Sequence, residues 1–106
     1  MLFNFGKKNF ESIGVYDIGS MLGKINLIDV REKNEYSIGH VPKAKNIPMG
    51  TIMQDSDKYL DKTKQYHIIC HSGARSNRVC KDLSSKGYSV VNVEGGTGRY
   101  PDKLTR

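Results

Sequence analysis

Residues 66–86, YHIICHSGARSNRVCKDLSSK, constrain this chain more than any other stretch. They begin with Tyr66 and a short apolar run, His67-Ile68-Ile69, of the length and composition of a buried strand. The run breaks into Cys70-His71-Ser72-Gly73-Ala74-Arg75. A helical pattern follows from Ser76, with Val79, Cys80 and Leu83 on one face and Gly87 just past its end. Cys70 therefore belongs where a strand ends and a tight loop turns into a helix. A thiol there meets loop N–H groups, a helix N-terminus and the Arg75 cation. Each favours the thiolate, which is the nucleophilic form.

The chain has 106 residues, enough for one domain with one core. The hydrophobic fraction of 37% is modest, and the charged fraction of 26% is ordinary for a soluble globular protein. No apolar run reaches membrane-spanning length. The N-terminus, MLFNFGKKNF, has no basic-then-apolar signal pattern, so the expected location is cytoplasmic with no membrane partner. Cys70 and Cys80 are the two cysteines. One is expected at the loop start and the other on the inner face of the helix, which argues against a disulfide between them.

The net charge of +6 is unevenly placed: residues 62–106 carry nine basic and three acidic side chains, whereas residues 1–61 carry eight of each. A positive field in the half with the loop favours small anionic substrates or an acidic protein partner, against the plain alternative of solvated lysines. No basic run interleaved with aromatics points to nucleic acid, and none is expected as a partner.

The remaining pattern alternates strands and helices. Residues 1–11 read as a lead-in and residues 12–106 as one domain. Val15, Ile18, Met21 and Leu22 at helical spacing predict a helix over residues 12–23. Residues 25–30, INLIDV, predict a strand ending near Asp29. Residues 32–38 predict a short helix closed by Gly39. Asn46-Ile47-Pro48 is a short extended piece, residues 51–60 a weakly amphipathic helix, and residues 88–93, YSVVNV, a strand followed by a loop at Gly95-Gly96. Near-continuously apolar strands between helices predict a mostly parallel α/β sheet covered on both faces. Sites in such sheets form beyond the carboxyl ends of strands, so Asp29, Cys70 and Gly95-Gly96 are expected on one rim.

These residues together resemble the rhodanese-like domain family, as a single-domain sulfurtransferase, over roughly residues 12–101. Asp29-Val30-Arg31, Glu35-Tyr36, Gly39-His40-Val41-Pro42, Ala44 and Asn46-Ile47-Pro48 resemble its first signature. Cys70 to Ser76 resembles its active-site loop, C-x-x-G-x-R-S, and Asn92-Val93 with Gly95-Gly96 its closing strand and loop. Lys43 stands where many members have Gly, and Tyr100 near where many have Trp. The resemblance implies a largely parallel five-stranded sheet with helices on both faces. It also implies that Cys70 takes a sulfane sulfur from thiosulfate or a persulfide donor, holds it as a persulfide and passes it to a thiophilic acceptor, with a protein as one possible acceptor. No metal or organic cofactor is required.

In that chemistry the Cys70 thiolate attacks the outer sulfur of the donor. The backbone N–H groups of His71, Ser72, Gly73, Ala74 and Arg75 cradle the resulting anion. Gly73 relieves the tightest point of the turn, and the Arg75 fork binds an oxyanion. Asp29, Arg31 and Glu35 form a supporting charge cluster with an expected Arg31–Glu35 pair. Two competing readings remain. A cysteine phosphatase or arsenate reductase is disfavoured because four residues, not five, separate Cys70 from Arg75. A non-enzymatic binding module or a sulfur carrier for a protein partner is the other, although inactive family members typically lack the cysteine. Cys80 is expected to pack in the core, and His67 to be structural. His40 is expected to bond locally. His71 is read as an exposed rim residue, with tuning of the thiolate as the sharper role. Lys43 and Lys45 are expected as surface charges. His67, Cys70 and His71 fit no zinc-ligand spacing.

Overall fold

A computed structural model describes residues 9–106 of the chain. Five strands form one sheet: β1 (Glu11–Gly14), β2 (Asn26–Asp29), β3 (Lys45–Asn46), β4 (Gln65–Ile69) and β5 (Ser89–Glu94). Their spatial order is β1-β5-β4-β2-β3, and every neighbouring pair is parallel. The helices are α1 (Lys33–Ile38), α2 (Met49–Gln54), α3 (Ser56–Tyr59) and α4 (Ala74–Ser85), with short 3-10 turns at Val15–Asp17, Gly19–Met21 and Thr97–Arg99.

The strands separate two cores because successive side chains point to opposite faces. Ile28, Ile68 and Val90 face a core completed by Ile52, Leu60, Val79 and Leu83 from the helical segments. Leu27, Ile69 and Val93 face the other, closed by Val15, Ile18, Val41 and Ala44, with Tyr36 of α1 against it. Strands buried on both faces need apolar residues at consecutive positions, which is why β2, β4 and β5 read as continuous apolar runs.

Helix α4 buries Ser76, Val79, Cys80 and Leu83, one stripe at i, i+3, i+4 and i+7. Burial of Val79 or Leu83 contributes about 1.5–3 kcal/mol each. The helix ends in a Schellman turn. Gly87 has φ +95°, the Tyr88 N–H donates to the Leu83 carbonyl at 3.0 Å, and the Gly87 N–H donates to the Ser84 carbonyl at 3.1 Å. Cys80 is fully buried beside Val79 and Leu83, as expected, and is not bonded to Cys70.

Several expectations need correction. Residues 12–23 are not a helix. Residues 12–14 lie within β1, hydrogen-bonded beside β5, and Val15 to Met21 form 3-10 turns. Gly14 and Gly19 weaken a continuous helix, and the free edge of β5 offers a ladder instead. Val15 and Ile18 are buried all the same, so the apolar spacing was real and its secondary structure misread. Glu11, placed in the lead-in, is the first residue of β1. Residues 1–8 of that lead-in lie outside the described residues. The helix expected over residues 51–60 is two short helices broken at Asp55, whose ψ of 45° leaves the helical region. Helix α4 starts at Ala74 rather than Ser76. Among the described residues, no helix is long and apolar enough to cross a membrane.

Candidate functional site

Cys70 follows the last residue of β4, at the carboxyl edge of the sheet. Its side chain is on the α4 face, and the residue is 1% exposed. Gly73 has φ +107°, in the left-handed region that only glycine enters freely. The turn at Gly73 brings the chain back so that α4 begins directly over the sulfur. The Gly73 N–H donates to Cys70 Sγ at 3.1 Å, and the Ser76 N–H donates at 3.3 Å. The Ser76 hydroxyl lies 3.4 Å from Sγ and 3.2 Å from the Gly73 carbonyl. With a thiol, the S–H donates to Ser76 Oγ and the hydroxyl donates to the carbonyl. With a thiolate, the same hydroxyl turns to donate to sulfur.

Burial pushes the Cys70 thiol up, but the Ser76 hydroxyl and N–H, the Gly73 N–H and the Ser72 N–H outweigh it. The net shift is down from the ordinary value. Ser76, which closes the C-x-x-G-x-R-S stretch and was expected only to start the helix, is thus a site residue as well. Its signal was its place as the third residue of α4, where a helix N–H has no intrahelical acceptor. The earlier start of the helix is what turns that N–H onto the sulfur.

Arg75 does not hold a free donor fork. Its Nη1 and Nη2 donate to Glu35 Oε1 and Oε2 at 2.7 and 2.9 Å, and each side chain is one-third exposed. The Arg75 hydrogen bonds hold the Glu35 carboxyl at about 2; burial opposes this, while the Glu32 N–H and the Arg75 and Arg31 charges assist. Glu35 also accepts from the Glu32 N–H at 2.9 Å, closing the capping box of α1. The pair still serves the loop, because the charge of Cys70 lies close enough to raise Arg75 further, behind the larger effect of Glu35.

The expected Arg31–Glu35 pair is replaced by a buried Arg31–Asp29 pair. Arg31 Nη2 lies 2.8 Å from Asp29 Oδ2, and Nε lies 3.0 Å from Oδ1. Both residues are 5% exposed or less. Arg31 also donates to the Gly39 carbonyl at 2.7 Å, and Asn46 Nδ2 donates to the carbonyls of Asp29 and Arg31 at 2.9 Å each. Two residues apart, at the last position of β2 and just past it, Asp29 and Arg31 point the same way, so the nearer carboxylate captures the guanidinium. Together they brace the α1 connection under the rim. His40 bonds locally, its Nδ1 lying 2.8 Å from the Tyr36 carbonyl while its ring stacks on Tyr36 at 3.6 Å.

The Gly95-Gly96 loop reaches the same rim. The Thr97 N–H donates to the Cys70 carbonyl and the Gly98 N–H to the His71 carbonyl, both at 2.9 Å. A Cβ on Gly96 would overlap both carbonyl oxygens. His71 and Ser72 are exposed on the loop, and Ala74 is exposed at the first turn of α4. His67 lies on the opposite face of β4 from Cys70, with burial pushing it down and Nδ1 buried without a partner. Among the described residues, no cluster of His, Cys, Asp and Glu is arranged to hold a metal ion. A cleft of about 500 Å³ opens on the His71 side of the loop, and one of about 250 Å³ opens on the Ser72–Ala74 side.

The family model of the rhodanese-like domain matches residues 15–100. The chain belongs to the rhodanese-like domain family. This rhodanese-like domain is 49% identical over 73 residues to a Bacillus subtilis protein named "Putative sulfurtransferase YtwF", covering 69% of this chain and 70% of that one. It is 36% identical over 80 residues to "Putative sulfur carrier protein YrkF" of the same organism, covering 74% of this chain but 43% of that protein. The crystal structure of a rhodanese-like domain protein from Staphylococcus aureus matches with a TM-score of 0.81 and 33% identity, over 91% of this chain and 97% of that one. The expected fold, a largely parallel five-stranded sheet with helices on both faces, is the fold observed.

Proposed function

We propose that the chain is a sulfurtransferase working through a persulfide on Cys70. The observation that carries this is the set of donors converging on Cys70 Sγ from Gly73 and Ser76. Those donors suit a thiolate, and they suit equally the anion that replaces it after one sulfur is added. With thiosulfate as donor, the thiolate attacks the outer sulfur, a new S–S bond forms, and the old S–S pair leaves with sulfite. Cys70–S⁻ and S–SO₃²⁻ become Cys70–S–S⁻ and SO₃²⁻. The acceptor then removes the outer sulfur and returns Cys70 to the thiolate.

The loop supports sulfur rather than phosphoryl chemistry. Four residues separate Cys70 from Arg75, and Arg75 is engaged by Glu35. A tetrahedral phosphoryl group needs a wider cradle with a free guanidinium fork. The likeness to a protein named as a sulfur carrier favours a second reading, in which the natural acceptor is a protein in the cytoplasm and turnover with small molecules is slow.

Intact mass measured before and after thiosulfate tests the proposal. Wild type should gain one sulfur that cyanide removes, and Cys70→Ser should gain none. Sulfur retained by a folded Cys70→Ser variant would overturn it. So would no gain on wild type with either thiosulfate or a low-molecular-weight persulfide.

A further inference from the structure

The larger cleft has a wall that the proposed chemistry does not yet use. Residues 103–106 are held beside the loop by two hydrogen bonds: the His40 N–H donates to the Thr105 carbonyl, and the Thr105 N–H donates back, both at 2.8 Å. Leu104 lies over Gly39, where a Cβ would sit 3.4 Å from the leucine side chain. This fixes Lys103, Leu104 and Arg106 along one side of the cleft, while His71, Thr97 and Gly98 line it next to the nucleophile loop. Ile38, 73% exposed, also lines it.

The charges in the cleft are unequal in kind. Arg31 is neutralised by Asp29, and Glu35 by Arg75. Lys103 and Arg106 have no ion-pair partner among the described residues. The cleft therefore presents two cations without an ion-pair partner among the described residues, with Ile38 and Leu104 as apolar lining, beside the loop that carries Cys70. Its volume of about 500 Å³ suits a small molecule.

We infer that Lys103 and Arg106 determine acceptor specificity, selecting small thiols that carry a carboxylate on a short apolar stem. This rests on the sulfur-transfer reading of Cys70. The carboxylate meets the two cations, the stem lies against Ile38 and Leu104, and the thiol end faces the loop. The acceptor thiol attacks the outer sulfur of Cys70–S–S⁻, and its proton passes to the sulfur it takes. The S–S bonding pair returns to Cys70 as thiolate, and the acceptor leaves as R–S–SH, so RSH and Cys70–S–S⁻ become RS–SH and Cys70–S⁻.

The test separates the two half-reactions. Wild type and Lys103→Ala/Arg106→Ala are loaded with thiosulfate, freed of donor, and mixed with 3-mercaptopropionate, 2-mercaptoethanol or 2-mercaptoethylamine. These thiols are similar in size but carry negative, neutral and positive charge. The second-order rate of sulfur removal is read by mass. Comparing variant with wild type for each thiol cancels its intrinsic reactivity. The double variant should lose about tenfold with 3-mercaptopropionate, change less than twofold with 2-mercaptoethanol, and stay level or gain with 2-mercaptoethylamine. The discrimination should fade as salt is raised. Equal changes for all three thiols, or none, with normal loading would overturn this inference alone. If wild type loads from neither thiosulfate nor a persulfide donor, the proposed function fails and the inference fails with it.

Discussion

Glu35 and Arg75, forty residues apart, form a two-point ion pair that ties the first turn of α1 to the first turn of α4. Arg75 is thus held from below the rim. It lends the loop positive charge while its donor fork is spent on Glu35.

The pair makes a pH prediction. The folded Glu35 value of about 2 lies below its ordinary 4.5, so the folded state binds the proton more weakly than the unfolded chain. Its stabilisation is complete above pH 4.5 and is lost as pH falls through 2. Because both side chains are one-third exposed, solvent screening limits the contribution to about 1 kcal/mol. Urea unfolding at pH 7 should show Glu35→Gln destabilised by that amount, and the gap should close near pH 2. Equal midpoints at pH 7 would show that the pair contributes nothing.

Ser76→Ala removes the hydroxyl that serves the Cys70 thiolate. A hydrogen bond to a charged group contributes about 1.5–3 kcal/mol. Iodoacetamide alkylation of Cys70 at neutral pH should therefore slow roughly tenfold, with the pH profile displaced upward. An unchanged profile from a folded variant would remove Ser76 from the site.

Gly96 has no room for a side chain. Gly96→Ala must displace the carbonyls of Cys70 and His71 or the loop above them. The expected loss is about 3 kcal/mol or more in denaturant unfolding, with slower sulfur loading in whatever remains folded. A variant within about 0.5 kcal/mol of wild type would show that the contact yields freely.

Lys43 has φ +74°, the only positive value at a non-glycine residue among those described. The left-handed region costs an L-residue about 1–2 kcal/mol, partly offset by the greater chain entropy that glycine loses on folding. Lys43→Gly should raise stability by roughly 0.5–1 kcal/mol, read as a higher melting temperature. A lower one would mean that the lysine side chain makes a stabilising contact that outweighs its backbone strain.

The nucleophile and its surroundings were legible in the sequence because they are local. Strand, loop and helix run without interruption from Gln65 to Ser85, so the spacing of Cys70, Gly73 and Arg75 carries its own geometry. The strands β2, β4 and β5 were legible because double burial writes continuous apolar runs. The short helix before Gly39 was legible too, and its capping box is closed by Glu32 and Glu35.

What the tertiary structure decided is pairing across distance. Residues 12–14 became strand because β5 had a free edge, and the apolar spacing of residues 15–22 fits a helix equally well. Arg31 and Arg75 each had several carboxylates within plausible reach in the sequence. Asp29, two residues away, takes Arg31, whereas only the docking of α1 against the rim brings Glu35 to Arg75. Ser76 became a ligand of the sulfur because Gly73 adopts positive φ and starts α4 two residues early. Local order is written in spacing and composition, whereas the partner of a long polar side chain depends on how the sheet sets its neighbours, and no spacing rule encodes that.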